Sequence, residues 1–584
     1  MTVILDKTFE RTLDRLVADH AVEAWRGARL EAWLFEDAES RRGAEQRFAK
    51  AGIAARLHSA YKPLVHFFLE EEGASGPFER IEITYPVNEA AVEQRFLLEA
   101  YPLAGMLGDA ELSFVPGAPG DRCEYAVRAR RPDGTDFHRT VFAPNRLAPD
   151  HVGEKPLSPC GWLRISHPDG RSVDEALETE YEALFHEALR AVSDHRWGAE
   201  EPLFETLHVA VSLPGSDRAL PVGEEAISLH EALHEEFYFS LLELFQKRSG
   251  RPLGSRGLQP GQIVPEIAAS EGAVTLRIET RPLSSEDAAW PRQDLHRAQA
   301  PFGVAQIDEV LGEIGGEAYS VKSRAGRDVP ARYVRGTDHP IMLSGGQHPN
   351  EVSGIAGALR GARLLADRPN AHFAVSPLEN PDGYALHWRL CRSQPRHMHH
   401  AARYTALGDD LEYREAEPLH EKGIRRESHA RTGALLHVNL HGYPSHEWTR
   451  PLTGYIPRGF EMWTVPKGFF LIGRHKKGWA EQTRAVLEAV TLALGAIPGL
   501  LAFNERQIRL YEVHAGALQF EVLNGFPCTV SEDDRHTAPM MLITEYPDET
   551  IYGEAFALAH EAQARTVLAA YDALQAIMAG TETA

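Results

Sequence analysis

The central motif of this sequence is Ile341-Met342-Leu343-Ser344-Gly345-Gly346-Gln347-His348-Pro349-Asn350-Glu351-Val352-Ser353-Gly354. An apolar run with strand character leads into two glycines, which let the backbone reverse without a side chain in the way. The segment that follows puts four apolar side chains on one helical face: Ile355, Leu359, Ala362 and Ala366. The motif therefore predicts a strand, a tight turn and a helix. Its turn places His348 and Glu351 at the carboxyl end of a strand, where α/β sheets place their ligands.

An imidazole and a carboxylate three residues apart can hold one zinc ion from two sides. Taken alone, such a pair is equally a strand-end histidine hydrogen-bonded to a helix-capping glutamate. Two later segments supply what a metal site needs. Leu435 to His441 is an apolar strand that ends in an imidazole followed by glycine, and Met540 to Glu545 is one that ends in a carboxylate. We predict His441 as the third ligand, which leaves an open position for water in a catalytic site.

These segments resemble the zinc carboxypeptidases, the carboxypeptidase A-like metallopeptidases, over roughly the last half of the chain. The family pattern is HxxE, then a distant His at a strand end before a small residue, then a catalytic Glu with Tyr-Gly further on. Glu545 is followed by Tyr552-Gly553 at the family's offset, and Asn380-Pro381-Asp382-Gly383-Tyr384 matches the family's NPDG-aromatic motif. The chain is similar to a less-studied branch of this family with a large N-terminal extension.

The resemblance implies a Zn²⁺ cofactor held by His348, Glu351 and His441. It implies that Glu545 is the general base, which takes a proton from a metal-activated water and hands it to the leaving amine of a peptide or amide bond. A simpler interpretation of Glu545 is a carboxylate favoured by the positive end of the helix that follows.

The resemblance also implies an arginine that polarises the scissile carbonyl, about fifteen residues after the NPDG asparagine. Counting from Asn380 leads to Pro395, next to Arg396. The stretch from His397 to Tyr404 looks like a motif of the less-studied branch and favours Arg403 instead. We rank Arg403 first, as a catalytic residue, and Arg396 second, as a substrate-binding one. Two tyrosines are further predicted to bind substrate: Tyr443 and Tyr552.

The sequence departs from the family in one respect. The family's exopeptidases clamp the substrate's terminal carboxylate with an Asn-Arg pair, and no Asn-Arg dipeptide lies between Arg403 and His441. The nearest candidates are Arg414, Arg425 and Arg426. Two alternatives to a carboxypeptidase therefore stay open: a deacylase or amidase of the aspartoacylase kind acting on N-acyl amino acids, and a non-catalytic binding protein that keeps the fold.

Composition and charge limit the binding partners and the cellular compartment that we expect. The net charge of -23 argues against a nucleic-acid or anionic-membrane surface. The resemblance implies a peptide or amide small molecule as the partner. The four cysteines are scattered without a CxxC pair, which suits a reducing compartment and gives no sign of a structural zinc ribbon. The N-terminus meets acidic residues before an apolar signal core could form, and no stretch approaches the roughly twenty apolar residues of a membrane span. We expect a cytoplasmic protein.

A composition shift between about Leu283 and Gly303 predicts a linker. It separates residues 1–300, an α+β region with a further division near residue 150 left open, from residues 301–584. The second part is expected to be a carboxypeptidase-like α/β domain, with a mixed sheet and helices on both faces. In the first part, Pro63 to Leu69 predicts a strand and Glu224 to Lys247 a long amphipathic helix. We expect that part to gate substrate or to support assembly, including oligomer formation.

One string in the first part competes with the HxxE motif. His230-Glu231-Ala232-Leu233-His234 matches the His-Glu-x-x-His signature of another zinc peptidase class. There the two histidines bind zinc and the glutamate acts as base. The residues that follow offer carboxylates without that class's usual context for a third ligand. We therefore interpret the string as part of a solvated acidic helix face.

Overall fold

The structure, a computed structural model, describes residues 1–71, 74 and 76–582. The strands of the N-terminal half are β1 (Thr2–Phe9), β2 (Arg29–Leu34), β3 (Ala54–Ser59), β4 (Arg80–Val87), β5 (Glu111–Pro119), β6 (Glu124–Arg130), β7 (Asp136–Phe142), β8 (Asn145–Leu147), β9 (Leu157–Pro159), β10 (Trp162–Ser166), β11 (Ser172–Ala176), β12 (Thr206–Leu213), β13 (Arg218–Ala219), β14 (Ala226–Ile227), β15 (Gln262–Ala269) and β16 (Val274–Arg281). Its helices are α1 (Thr12–His20), α2 (Ala38–Lys50), α3 (Pro63–Glu70), α4 (Arg95–Glu99), α5 (Leu103–Met106), α6 (Glu180–Asp194) and α7 (Leu229–Arg248).

The N-terminal half is a mixed α+β region, as predicted. Its strands form three four-stranded sheets, ordered β1-β16-β12-β15, β11-β10-β2-β3 and β5-β4-β6-β7, and two short pairs. The strand predicted at Pro63 to Leu69 is wrong, because this segment is helix α3. Pro63 occupies the start of the helix, where its fixed φ is suited and its missing N–H costs nothing. The helix is buried over most of its surface, and a short continuous apolar run cannot be told from a buried strand by periodicity.

The strands of the C-terminal half are β17 (Glu317–Lys322), β18 (Asp328–Val334), β19 (Ile341–Gly345), β20 (Phe373–Ser376), β21 (Leu436–Pro444), β22 (Phe470–His475), β23 (Glu521–Leu523), β24 (Phe526–Glu532) and β25 (Met540–Glu549). Its helices are α8 (Val304–Ile314), α9 (Val352–Ala366), α10 (Pro381–Cys391), α11 (His400–Arg403), α12 (Gly423–Thr432), α13 (Ala480–Gly495), α14 (Leu500–Ala515) and α15 (Glu554–Glu582). Short 3-10 turns complete the chain at Glu23–Trp25, Leu411–Tyr413, His420–Lys422, Pro451–Thr453 and Glu461–Trp463.

The C-terminal strands form one nine-stranded mixed sheet in the order β17-β18-β20-β19-β21-β25-β22-β24-β23. Strands β20, β19, β21 and β25 are parallel, and antiparallel neighbours flank them. One face packs into a core with α9, α13 and α15. On the other face α12 buries Ile424 against Val329 and Ala331. Helices thus cover both faces, and the predicted fold class is confirmed.

Alternation along β21 separates the core of this sheet from its polar face. Leu436, Val438 and Leu440 belong to the core that packs under α9 and α15. The intervening side chains point to the other face because successive residues of a strand alternate. They are all polar: His437, Asn439 and His441.

The segment predicted as a linker is packed against the C-terminal core. Among the described residues, 282–303 carry no helix or strand, yet Ala288, Ala298 and Phe302 are buried in that core. The larger apolar cluster of the N-terminal half also includes Met398 and Trp448 from beyond residue 300. The two halves therefore share buried surface, and the boundary near residue 300 stays a prediction.

Helix α7 is buried over nearly its whole length, which corrects the expectation of an amphipathic helix with a solvated acidic face. Its carboxylates pair with side chains of the C-terminal half. Glu235 lies 2.6 Å from His400 Nδ1, Glu236 accepts from Thr453 at 2.6 Å, and Glu243 accepts from Arg450 at 2.7 Å. Buried carboxylates are tolerated when they are paired, and the partners lie far away in sequence.

The His-Glu-x-x-His string of α7 does not form a metal site. Glu231 accepts from His446 Nε2 at 2.7 Å and from the Met398 N–H at 2.6 Å, so its carboxylate is already occupied. Across the described part of the chain, the groups of ligand atoms close enough to hold a metal do not include His230 with His234.

No single helix among the described residues is long and apolar enough to cross a membrane. The bent pair α13 and α14 passes that test only when its two helices are taken together, by length and composition alone.

We expect the Glu231–His446 pair to make stability depend on pH. Burial lowers the pKa of His446, but Glu231 and Glu225 outweigh burial and raise the pKa to about 9. A histidine with a raised pKa stabilises the fold fully below its unfolded value of about 6.5, and this contribution is lost as the pH rises through about 9. His446→Gln should lower the free energy of unfolding by about 1–3 kcal/mol near pH 6, and the gap to the wild type should narrow towards pH 9.

Thermal unfolding of both proteins across this pH range measures the gap. The exposed His138→Gln serves as control and should follow the wild type at every pH. A gap between His446→Gln and the wild type that is the same at both ends of the range would contradict the assignment.

Candidate metal centre

Three predicted ligands converge at one edge of the C-terminal sheet. His348 lies in the turn after β19, Glu351 immediately precedes α9, and His441 lies near the end of β21. Strands β19 and β21 are parallel neighbours, so their carboxyl ends meet at the same edge. The turn depends on Gly346, whose φ of +62° is left-handed and whose Cβ, if present, would lie 2.9 Å from Leu378.

The ligand atoms are close enough together to contact one metal ion. Glu351 Oε1 lies 2.9 Å from His348 Nδ1, and Glu351 Oε2 lies 2.9 Å from His441 Nδ1. The two Nδ1 atoms are 3.2 Å apart. In a tetrahedral site with metal–ligand distances of about 2.0–2.2 Å, neighbouring ligand atoms are about 3.3–3.5 Å apart. All three residues are buried, and a set of two imidazoles and one carboxylate fits Zn²⁺.

The Nε2 atoms of His348 and His441 each lie near a hydrogen-bond acceptor. His348 Nε2 lies 3.4 Å from Asp410 Oδ1, and His441 Nε2 lies 3.2 Å from Gln347 Oε1, which also accepts from Arg425. A proton on His441 Nε2 thus has an acceptor, which leaves His441 Nδ1 free to bind a metal, whereas His348 Nε2 also lies 3.1 Å from the Gln347 amide nitrogen. Sequence reasoning did not identify Asp410 or Gln347 in this role. Gln347 adjoins the motif, whereas no pattern around Asp410 indicates it.

Arg403 on α11 compensates the negative charge of Glu351. Its Nη1 donates to Glu351 Oε1 at 2.6 Å, and the Gly442 N–H donates to Glu351 Oε2 at 3.1 Å. Burial raises the pKa of Glu351, but His348 and Arg403 outweigh burial and hold the pKa well below its ordinary value. Glu351 is therefore an anion, as a metal ligand must be.

Glu545 lies opposite His441 on the neighbouring strand β25. Residues in register on adjacent strands share a face, so the Glu545 carboxyl points to the same side as the His441 imidazole. It is half-buried and, within the part of the chain that the structure describes, has no hydrogen-bond or ion-pair partner. Burial and the charge of Glu351 raise the pKa of Glu545 well above its ordinary value, while Arg403 and Lys467 act in the opposite direction.

A cavity of about 210 Å³ opens beside the centre. Its floor carries His348, His441 and Glu545, and Arg403 lines its wall. Aromatic and cationic side chains from distant segments complete the cavity: Arg256, Tyr413, Phe460, Trp463 and Arg474.

Tyr443 also lines the cavity, as predicted for a substrate-binding residue, but its hydroxyl is engaged. That hydroxyl donates to the Gly468 carbonyl at 2.7 Å and accepts from the Lys467 N–H at 2.9 Å. Tyr443 thus presents its ring to the cavity.

The structure does not bring Arg396 or Tyr552 to the cavity, which corrects the expectation that both line it. Arg396 is exposed and donates to Glu224 at 2.9 Å. The Tyr552 hydroxyl donates to the Pro395 carbonyl at 2.9 Å. Arg396 and Tyr552 lie away from the cavity because the loop that carries Arg396 turns outward towards the N-terminal half. Of the two arginines ranked from the sequence, Arg403 is the one placed beside the ligands.

The arginines considered for a carboxylate clamp are engaged elsewhere. Arg414 pairs with Asp409, Arg425 with Glu379, and the exposed Arg426 with Glu417. Arg256 and Arg474 line the cavity, where Arg256 lies 3.4 Å from Asp410 and Arg474 lies 3.4 Å from Asp533, and the sequence analysis missed both. Arg474 lies on a strand next to β25, so an assignment of that strand could have found it. Arg256 lies in the N-terminal half, and only tertiary packing brings it here.

No family model matches this sequence, and no curated protein matches it. The similar solved structures include a metallo-carboxypeptidase from Burkholderia cenocepacia, with 13% identity, 52% of this chain and 76% of that chain covered, and a TM-score of 0.30. Another is a metallo-carboxypeptidase from Pseudomonas aeruginosa in complex with (2-guanidinoethylmercapto)succinic acid, with 14% identity, 52% and 73% covered, and a TM-score of 0.31. A succinylglutamate desuccinylase/aspartoacylase from Rhodobacter sphaeroides shows 12% identity, 43% and 62% covered, and a TM-score of 0.23.

These structural neighbours are two metallo-carboxypeptidases and a succinylglutamate desuccinylase/aspartoacylase. With TM-scores below 0.5, this likeness does not distinguish a peptidase from a deacylase. That distinction depends on the residues of the cavity.

We expect Asp410→Asn to weaken Zn²⁺ binding about 10–100-fold, because the substitution keeps the shape but removes the anionic acceptor that orients His348. Competition with a chromogenic chelator measures the affinity. The exposed Asp534→Asn is the matched control and should bind as the wild type does. Equal affinities for all three proteins would show that Asp410 does not support the centre.

Proposed function

We propose that this protein is a zinc-dependent hydrolase that cleaves peptide bonds in the manner of a metallo-carboxypeptidase. One observation carries the proposal. The Nδ1 atoms of His348 and His441 lie 3.2 Å apart, and each lies 2.9 Å from one oxygen of Glu351, in a cavity that also receives the carboxyl of Glu545. A non-catalytic protein would have no need of a carboxyl group held beside such a centre without a partner.

The metal ligands and Glu545 have separate roles in the proposed reaction. His348, Glu351 and His441 would hold the zinc ion, which when bound lowers the pKa of a water towards neutrality and polarises a carbonyl oxygen. Glu545 is placed to accept the proton of the attacking water and to return it to the leaving amine. Its position beside His441, in register across two strands, keeps it in the cavity without making it a fourth ligand.

Arg403 is placed to stabilise the oxyanion that forms when the carbonyl is attacked. Its guanidinium lines the cavity and is fixed by the 2.6 Å hydrogen bond to Glu351. Preorganised cationic donors aimed at a developing charge supply a large part of catalysis in such sites. The helix that carries Arg403 begins at His400, which Glu235 of α7 holds at 2.6 Å. The N-terminal half therefore supports the position of a catalytic side chain.

The cavity also favours a substrate with a free carboxylate. Arg256 and Arg474 line it together with aromatic rings, and a guanidinium binds a carboxylate through two parallel hydrogen bonds. In this proposal the two arginines take over the terminal-carboxylate clamp that the Asn-Arg pair provides in the relatives. Since Arg256 belongs to residues 1–300, we propose that this half of the chain gates substrate access.

A deacylase acting on N-acyl amino acids is the second candidate, and the size of the cavity favours it. About 210 Å³ accommodates a small acylated amino acid, which also presents a free carboxylate to the arginines. The two candidates use the same metal ligands and the same base and differ only in the acyl part of the substrate. Blocked peptides, free-carboxylate peptides and N-acyl amino acids, compared as substrates, separate them.

We expect Glu545→Gln to retain zinc and to lose about 10²–10⁴-fold in kcat, because the amide cannot accept the proton of the water. His348→Ala should lose the zinc ion of this centre together with the activity. Metal analysis and initial rates on the substrate panel above measure the two effects. The exposed Glu532→Gln is the control for a carboxylate removed elsewhere on the same sheet. Wild-type activity in Glu545→Gln would remove the residue from its role as base.

We expect Arg256→Gln to raise KM about 10–100-fold for substrates with a free carboxylate, because a charge-assisted hydrogen bond to the substrate is lost. Amide-blocked forms of the same substrates should show little change. Arg251→Gln, in the same connecting segment but paired with Glu201, is the matched control. An equal loss on blocked and free substrates would argue against carboxylate recognition by Arg256.

A further inference from the structure

A second group of metal-ligating side chains lies outside the cavity and has no part in the proposed reaction. It consists of His387 and Cys391 on α10 and His399 just before α11. His387 and Cys391 are four residues apart, so they share one face of the helix. One ligand atom from each of the three residues lies within 4.8 Å of the other two.

The group is buried and poorly satisfied. His387, Cys391 and His399 are 4%, 8% and 3% exposed. Cys391 Sγ lies 3.5 Å from His387 Nε2 and 3.9 Å from His399 Nδ1, and the Tyr552 hydroxyl also hydrogen-bonds to Cys391. A thiol is a weak donor and a weak acceptor, so it compensates two buried imidazoles poorly. Burial also keeps both histidines neutral, since it lowers the pKa of His387 to about 3 and that of His399 well below its ordinary value.

A third histidine faces the group from the N-terminal half. The His234 ring on α7 lies 5.4 Å from the His399 ring, centroid to centroid. His234 is 3% exposed, and its Nε2 is buried without a hydrogen-bond partner. An imidazole nitrogen without a hydrogen bond in a protein interior is destabilising, and a bound metal ion would satisfy it.

The spacing matches a zinc ion bound by sulfur and nitrogen. With Zn–S of about 2.3 Å and Zn–N of about 2.0–2.1 Å, tetrahedral geometry separates sulfur from nitrogen by about 3.5–3.6 Å. The observed separations are 3.5 and 3.9 Å. One thiolate with two or three neutral imidazoles is a ligand set that zinc prefers.

We propose that Cys391, His387 and His399 bind a second, structural zinc ion, with His234 as the candidate for the fourth position. Cys391 binds as the thiolate and releases its proton to solvent, so no redox step is involved. The ion would link α7 to α10 and to the segment that leads into α11. It would thereby secure the helix that carries Arg403, at a distance from the reacting groups.

The test is zinc analysis of the full-length protein together with the spectrum of its cobalt-substituted form. Wild-type protein should hold about two zinc ions per chain, and Cys391→Ser and His348→Ala should each hold about one. Cobalt bound to a thiolate gives a sulfur-to-metal charge-transfer absorption. This band should be present in the wild type and in His348→Ala and absent in Cys391→Ser.

Cys528→Ser is the matched control, because Cys528 is buried but its sulfur contacts the Phe526 carbonyl and no histidine. It should keep two zinc ions and the cobalt band. If Cys391→Ser does not fold, His387→Gln and His399→Gln take its place. The cobalt spectrum of the wild type tests for a thiolate ligand without any variant. A wild-type protein without the thiolate band overturns the proposal, as does wild-type zinc content in Cys391→Ser. Because His348→Ala leaves the band intact, the result is independent of the proposed hydrolase activity.

Discussion

The C-terminal half depends on the burial of one carboxylate. Glu351 places its two oxygens against the Nδ1 atoms of His348 and His441, and Arg403 donates to it from a third direction. An unpaired anion at this depth would cost several kcal/mol. The fold therefore has to bring two strand ends and a short helix to the same point, and this convergence creates the cavity in which a metal and a substrate can meet.

The short helix is in turn held by the N-terminal half. Glu235 on α7 pairs with His400 at the start of α11, and Glu231 binds His446 and the Met398 N–H a little earlier in the chain. Each of these carboxyl groups is buried, and removal of either partner would leave a buried polar group without its hydrogen bond. This dependence explains why the halves share a core. Residues 1–300 form part of the support of the site, in addition to any role at its entrance.

The sequence was informative where the chemistry is local. The HxxE turn, the His441 strand end and the Glu545 strand end could each be read from a few consecutive residues, and parallel strands bring their ends together without further information. Counting residues could not tell whether Arg396 or Arg403 faces the cavity, because the direction of a loop depends on what covers it. The same limit applies to Asp410 and Arg256, which reach the site through packing between distant segments. It also applies to α7, whose acidic residues looked solvated because their partners lie more than a hundred residues away.

Asp410 contacts both a candidate metal ligand and an arginine that lines the cavity. One of its oxygens lies 3.4 Å from His348 Nε2, and the other lies 3.4 Å from Arg256 Nη1. A substrate carboxylate that binds Arg256 would compete with Asp410 for the guanidinium. Asp410 would then be a stronger acceptor for the His348 N–H, and a more basic imidazole is a better metal ligand. Through this one carboxylate, an arginine of the N-terminal half would couple the arrival of substrate to the charge at the metal centre, which a detached catalytic domain could not do.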